Sequence, residues 1–219
     1  RYSYNSTTKT YTQDAGFPVT INDVRSETLV IDREPTGRLW ATWVQGDRVY
    51  LNHTTTDDRT WATPFPLPVA GSTVTADDIS SVIAFRDDRI GVMWSNQVDE
   101  TMSFAVHLNS AAPGTWGARE IAYSGPSSTD DHISLASVQG AGGRVLAAVK
   151  TGRSGAGVLN HLLDRNPTTG AWTSHTFGIG SDHHTRPIVA VDSQRQEVHM
   201  FATAGESGGT IYRKTAPLS

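Results

Sequence analysis

A unit of fifty-odd residues recurs four times along the chain, and each copy carries an apolar segment that opens just after a polar turn. The segments are Leu39-Trp40-Ala41-Thr42-Trp43, Ile90-Gly91-Val92-Met93-Trp94, Val145-Leu146-Ala147-Ala148-Val149 and Val198-His199-Met200-Phe201-Ala202. Their last residues stand 51, 55 and 53 positions apart. A period of this size, built only from strand signals, predicts a β-propeller in which each repeat is one four-stranded antiparallel blade.

The order within a repeat is constant. An inner strand comes first (28–32, 80–85, 133–138 and 187–192), then a tight turn, then the apolar segment. A third strand ends on His53, His107 and His161, with Arg213 in the last copy. A polar turn then leads to Trp61, Trp116 or Trp172, spaced by 55 and 56 residues, and Tyr11 lies 50 before Trp61. Gly-, Pro- and Asp-rich turns separate these short runs, and no helical period of useful length is present. The phase divides the chain into a blade end (1–22), three blades (23–73, 74–126, 127–179) and an incomplete blade (180–219). Because it opens in mid-blade, the chain is expected to be part of a larger, six- or seven-bladed propeller. The remaining blades would come from upstream or from another chain, since open sheets leave edges unpaired.

Composition excludes several alternatives. The net charge of −4 gives no electrostatic footprint for nucleic acid. No apolar run is long enough to span a membrane as a helix. With no cysteine, disulfides, thiolate nucleophiles and Cys-ligated zinc are absent. Abundant Thr, Ser, Asn and Gly with only three Lys suits a secreted bacterial β-protein. The chain opens on Arg1, which is compatible with a removed leader. Asn5-Ser6-Thr7 and Asn52-His53-Thr54 read as chance sequons in a Thr-rich chain.

The turns before the ruler aromatics, Thr55-Thr56-Asp57-Asp58-Arg59-Thr60-Trp61, Ala112-Pro113-Gly114-Thr115-Trp116 and Pro167-Thr168-Thr169-Gly170-Ala171-Trp172, resemble degenerate Asp-boxes. With Gly37-Arg38-Leu39-Trp40-Ala41-Thr42-Trp43, Asp130-Asp131-His132-Ile133 and His184-Thr185-Arg186-Pro187-Ile188-Val189, the chain is similar to bacterial secreted BNR/Asp-box sialidase-like propellers. The resemblance covers about Tyr2 to Ala216 and implies fold more than activity, since the Asp-box is a structural hairpin. Related propellers include sialidases and polysaccharide lyases. Sialidases use three arginines, an acid Asp and a Tyr activated by Glu. Here Arg186-Pro187-Ile188 resembles their Arg-Ile-Pro motif with two residues exchanged, and Tyr212 with Glu206 matches their Tyr/Glu pair only by coincidence.

In a propeller, ligands meet the loops that enter the inner strands. Those positions carry Glu27, Asp78, Asp131, His132, Asp182, His183, His184 and Arg186. The histidines repeated in every blade are explained by packing, whereas polar groups that vary between blades are free to form a site. Asp131, His132, His184 and Arg186 are the candidate catalytic residues, and Glu27, Asp78 and His183 the candidate substrate-binding ones. A glycosidase would need two carboxyl groups roughly 5–10 Å apart. A lyase would use His132 or His184 as base while Arg186 neutralises a uronate. No cofactor is expected, although a divalent cation such as calcium suits the Asp/His set. The alternative is a non-catalytic glycan-binding or structural propeller. A Trp43/Trp94 sugar platform beside Gln45 and Asn96 would serve it, but strand alternation favours both tryptophans as core. The expected partner is a glycan or polysaccharide.

Overall fold

The computed structural model describes residues 1–140, 142–205 and 209–218; Glu206 lies outside them. Strands β1 (Tyr2–Asn5) and β2 (Thr10–Gln13) form a hairpin. Three four-stranded sheets follow. The first holds β3 (Val30–Arg33), β4 (Leu39–Gln45), β5 (Arg48–His53) and β6 (Phe65–Pro66). The second holds β7 (Ser80–Phe85), β8 (Arg89–Asn96), β9 (Thr101–Leu108) and β10 (Glu120–Ser124). The third holds β11 (Ile133–Val138), β12 (Arg144–Lys150), β13 (Val158–Arg165) and β14 (Trp172–Ile179). A three-stranded sheet closes the series with β15 (His184–Asp192), β16 (Glu197–Ala204) and β17 (Ile211–Pro217). Each sheet is antiparallel and in sequence order, as in propeller blades. No helix of the described residues is long and apolar enough to cross a membrane.

The second strand of each four-stranded blade is largely apolar because both its faces are buried, whereas β16 buries only alternate residues. In β8, Ile90, Val92 and Trp94 pack towards the first blade with Trp40, Val44 and Leu51, while Met93 packs towards the third with Val145, Ala147 and Val149. In β12 the same alternation sends Leu146 and Ala148 into the core shared with the fourth blade. Period-two alternation on a strand therefore fills two cores at once. Gly91 is needed in this row because a Cβ there would strike the Phe104 ring. Trp43 and Trp94 are fully buried, and the Trp94 indole donates to the Gly71 carbonyl at 2.7 Å, so neither offers a sugar platform.

The first strands of the blades lie side by side around one axis, β3 against β7, β7 against β11 and β11 against β15. Polar ties join them: Ala84 N–H donates to Asp32 at 2.6 Å, Thr42 Oγ1 meets Ser80 Oγ at 2.8 Å, and Val189 N–H donates to Ser134 Oγ at 3.3 Å. These bonds satisfy buried polar groups across the blade boundaries. At the ends of the series, Ile31, Ile188, Ile211 and Tyr212 remain exposed.

The repeated histidines are packing elements. The His107 ring lies 4.9 Å from Trp40 of the preceding blade and 5.3 Å from Trp116, with Nδ1 on the Thr115 carbonyl at 2.9 Å. His53 packs 5.0 Å from Trp40, and His161 lies 4.3 Å from Tyr123. The turns ahead of the ruler aromatics close on a side-chain oxygen. Asp57 accepts the Arg59 and Thr60 N–H groups at 2.9 and 2.8 Å, and Asn166 accepts those of Thr168 and Thr169, both at 2.9 Å. Asn5 does the same ahead of Tyr11, accepting Thr7 and Thr8. Asn52 is buried and donates to the Ile21 carbonyl, so in the folded chain its side chain is not open to modification.

Candidate functional site

The loops that feed the inner strands converge on a cavity of about 570 Å³. Glu27 enters from the first blade, Asp77 and Gln97 from the second, Asp130, Asp131, His132 and Lys150 from the third, and Arg186 from the fourth. Four blades thus contribute polar side chains to one recess at the axis. Strand geometry places the third-blade group. The Lys150 N–H donates to the His132 carbonyl at 3.2 Å, so Lys150, the last residue of β12, stands beside the start of β11.

The group is tightly knit. Asp130, Asp131 and His132 each place a ligand atom within 4.8 Å of the others. His132 Nδ1 is 2.5 Å from Asp131 Oδ1 and 3.4 Å from Asp130 Oδ1. Lys150 Nζ is 3.1 Å from Asp130 Oδ2, and the Asp131 N–H donates to Asp130 Oδ1 at 2.7 Å. All four side chains are roughly one-fifth to one-quarter exposed, reachable yet partly shielded.

Two adjacent carboxyl groups in this setting cannot both ionise freely. A hydrogen bond to Asp130, helped by burial, pushes Asp131 up to about 6. Burial works to raise Asp130 as well, but hydrogen bonds with His132 and Asp131 and the Lys150 charge outweigh it and hold Asp130 below the usual carboxylate range. The two carboxyl groups titrate as a pair, Asp131 raised and Asp130 lowered, so Asp131 is the member that keeps its proton into weak acid. Such a pair can deliver a proton to a leaving oxygen. The three donor atoms also have the spacing a cation would need, but the Lys150 ammonium already supplies positive charge to Asp130. The third-blade residues therefore suit a divalent cation poorly.

Arg186 reaches the cavity because β15 carries a bulge between Thr185 and Ile188. Its φ is +51°, a left-handed conformation that is costly for a non-glycine residue and unusual before Pro187. Bulges re-aim side chains at the rims of sheets.

Three of the seven candidate catalytic and substrate-binding residues stand outside this cavity. Asp78 is buried, and its carboxylate accepts the Thr75 N–H and hydroxyl at 2.8 and 2.9 Å and the Gln97 N–H at 3.1 Å. Its neighbour Asp77 is the one that faces the recess. His183 and His184 line an adjoining cavity, His184 buried between Phe177 at 5.4 Å and Tyr212 at 4.7 Å. Asp130, Lys150 and Asp77 were not singled out by sequence reasoning. Lys150 had a signal: it is the one basic residue that directly follows an anchor segment, and one of only three lysines in the chain.

No protein-family model and no curated protein sequence matches the chain. Solved structures do. NanB sialidase from Streptococcus pneumoniae superposes with a TM-score of 0.56 at 11% identity, over 81% of this chain and 27% of that one. An α-L-arabinanase from Penicillium chrysogenum, complexed with arabinobiose, gives 0.57 at 12% identity, over 91% of this chain and 65% of its own. An exo-β-1,3-galactanase from Phanerochaete chrysosporium gives 0.52 at 12%, over 99% of this chain and 50% of its own. The chain therefore spans about a quarter of the sialidase, half of the galactanase and just under two-thirds of the arabinanase. At these identities the likeness concerns fold, and it shows the chain to be an all-β arc of about four propeller blades.

Proposed function

We propose that this chain carries the active site of a secreted, carbohydrate-active propeller that hydrolyses glycosidic bonds. The observation that carries the reading is the Asp130–Asp131 pair, titrating together where the leading ends of four blades meet. In the reaction, Asp131 protonates the departing glycosidic oxygen, kept protonated by the neighbouring Asp130 carboxylate and by burial and held in place by its contact with His132. Glu27 or Asp77, carboxylates of the first two blades, either takes a proton from the water whose oxygen bonds the sugar carbon as the glycosidic bond breaks, or itself attacks that carbon to give a glycosyl-enzyme that water then hydrolyses, and Arg186 orients the sugar. His132 is engaged on both aspartates, which favours hydrolysis over a lyase reaction that needs it as a base. The solved sialidase, arabinanase and galactanase support a glycan as substrate. The exposed apolar residues at both ends of the arc support completion of the ring by further blades, from the same protein or another chain.

The test is sugar release from soluble arabinan, β-1,3-galactan and a sialylated glycoprotein, with and without Asp131→Asn. Cleavage that falls by about a hundredfold or more in the variant supports the reading. Glycan bound but left intact by the wild type points to a binding module. An unsaturated product seen by ultraviolet absorbance points to a lyase.

A further inference from the structure

Asp78 is fully buried, and the reaction above does not use it. Burying a carboxylate is costly unless hydrogen bonds satisfy it, so the source of its donors is informative. The Thr75 N–H and hydroxyl donate to its Oδ2 at 2.8 and 2.9 Å, and the Gln97 N–H donates to its Oδ1 and Oδ2 at 3.1 and 3.3 Å. The loop ahead of β7 is thereby tied to the residue that follows β8. Two further bonds clamp the same place: the Ile79 N–H donates to Ser95 Oγ at 3.0 Å, and the Ser95 N–H to the Ile79 carbonyl at 3.1 Å.

The tie ends on a reactive group. With its backbone seated on Asp78, Gln97 turns its side-chain amide to Asp77, where Nε2 donates to Oδ2 at 3.1 Å and to the carbonyl at 3.3 Å. Asp77 and Gln97 both line the recess that holds Asp131. A carboxylate held by a fixed donor keeps one orientation, which a reacting group needs.

Position around the axis points the same way. Asp77 precedes β7 by three residues and Asp131 precedes β11 by two, and β7 packs directly against β11. Neighbouring first strands are close enough for one side chain to bridge them, as Ser134 Oγ does in accepting the Val189 N–H at 3.3 Å. Glu27, ahead of β3, stands one blade further from Asp131. Two carboxyl groups that work on one glycosidic bond stand roughly 5–10 Å apart, which suits adjacent blades better than blades once removed.

We propose that Asp77 is the second carboxylate of the reaction, and that Gln97, seated on Asp78, positions it. This rests on the hydrolytic reading and leaves Glu27 to contact the sugar.

The experiment is steady-state hydrolysis of whichever of the three glycans the wild type cleaves, with melting temperatures measured alongside. Asp77→Asn should lower kcat by about a hundredfold or more. Gln97→Met keeps the side-chain length and removes the amide. It should lower kcat by about tenfold or more with KM within about twofold, because it misplaces a reacting group. Asp78→Asn keeps an oxygen for Thr75 but sets an NH2 against the Gln97 N–H, and should act in the same direction. Neither change should slow the Asp77→Asn protein further, since a residue that acts through another is fully coupled to it. Azide gives a separate readout. In Asp77→Asn its nitrogen should bond the sugar carbon as the glycosidic bond breaks and the leaving oxygen takes the Asp131 proton, restoring turnover with a glycosyl azide as product. Azide that restores Glu27→Gln and not Asp77→Asn overturns the assignment and leaves hydrolysis standing. An unchanged kcat in Gln97→Met, or a loss that multiplies with that of Asp77→Asn, overturns the positioning role. A wild type that cleaves none of the glycans overturns both readings.

Discussion

Replacing Lys150 by Met removes the ammonium that touches Asp130 while keeping the length of the side chain. Lys150 Nζ lies 3.1 Å from Asp130 Oδ2, and both side chains are about one-fifth exposed. At that distance, an effective dielectric of about 20 gives an attraction of about 5 kcal/mol before desolvation and screening. Asp130 should therefore become a weaker acid. Asp131 feels the same charge from further away, where it acts to lower the pKa. Its removal should raise the upper apparent pKa of the pair from about 6 by about one unit. The direct assay is a carbon-13 NMR titration of the side-chain carboxyl groups. Because the proposed acid must be protonated, activity should be lost as pH rises through that value, and the alkaline limb should move upward in the variant. A limb and a titration that stay in place, or move down, would refute the electrostatic account of the site.

Four further outcomes follow from the same structure. Asp131 is raised in the fold from 3.8 to about 6, so its contribution to stability is full below 3.8 and is lost as pH rises through 6. Asp131→Asn should therefore raise the denaturation midpoint at about pH 8, by roughly 1–3 kcal/mol, and change little at about pH 4. His161 is buried with neither ring nitrogen paired, and burial, aided by Arg153, lowers it from 6.5 to about 4. Its stability contribution is complete above 6.5 and falls as pH drops towards 4, so His161→Phe should flatten acid denaturation over that window by about 2–3 kcal/mol in urea titrations. Asp78→Ala should lower stability by about 1–3 kcal/mol through its orphaned donors, whereas Glu27→Gln should lower kcat with the melting temperature intact.

The sequence by itself determined the blades. A strand buried on both faces must be apolar at consecutive positions, so β4, β8 and β12 announce themselves locally, β16 follows by its alternating apolar residues, and their spacing gives the repeat. The histidines that recur at the end of the third strand were legible as packing for the same reason: each meets an aromatic ring in its blade or the one before. Sequence also pointed to the loops ahead of the inner strands, since every repeat delivers them to one end.

Which side chains of those loops meet was decided only by the tertiary structure. Asp77 and Asp78 are chemically identical neighbours, yet one turn of backbone buries Asp78 on Thr75 and Gln97 and leaves Asp77 facing the recess. A bulge separates Arg186 from His184, sending the first into the catalytic cavity and the second into the wall of its neighbour. Lys150 reaches Asp130 because antiparallel pairing sets the end of β12 beside the start of β11. The repeat follows from what each strand must bury, a property of short segments. The site follows from distances between blades, and those exist only once the blades have packed side by side around their axis.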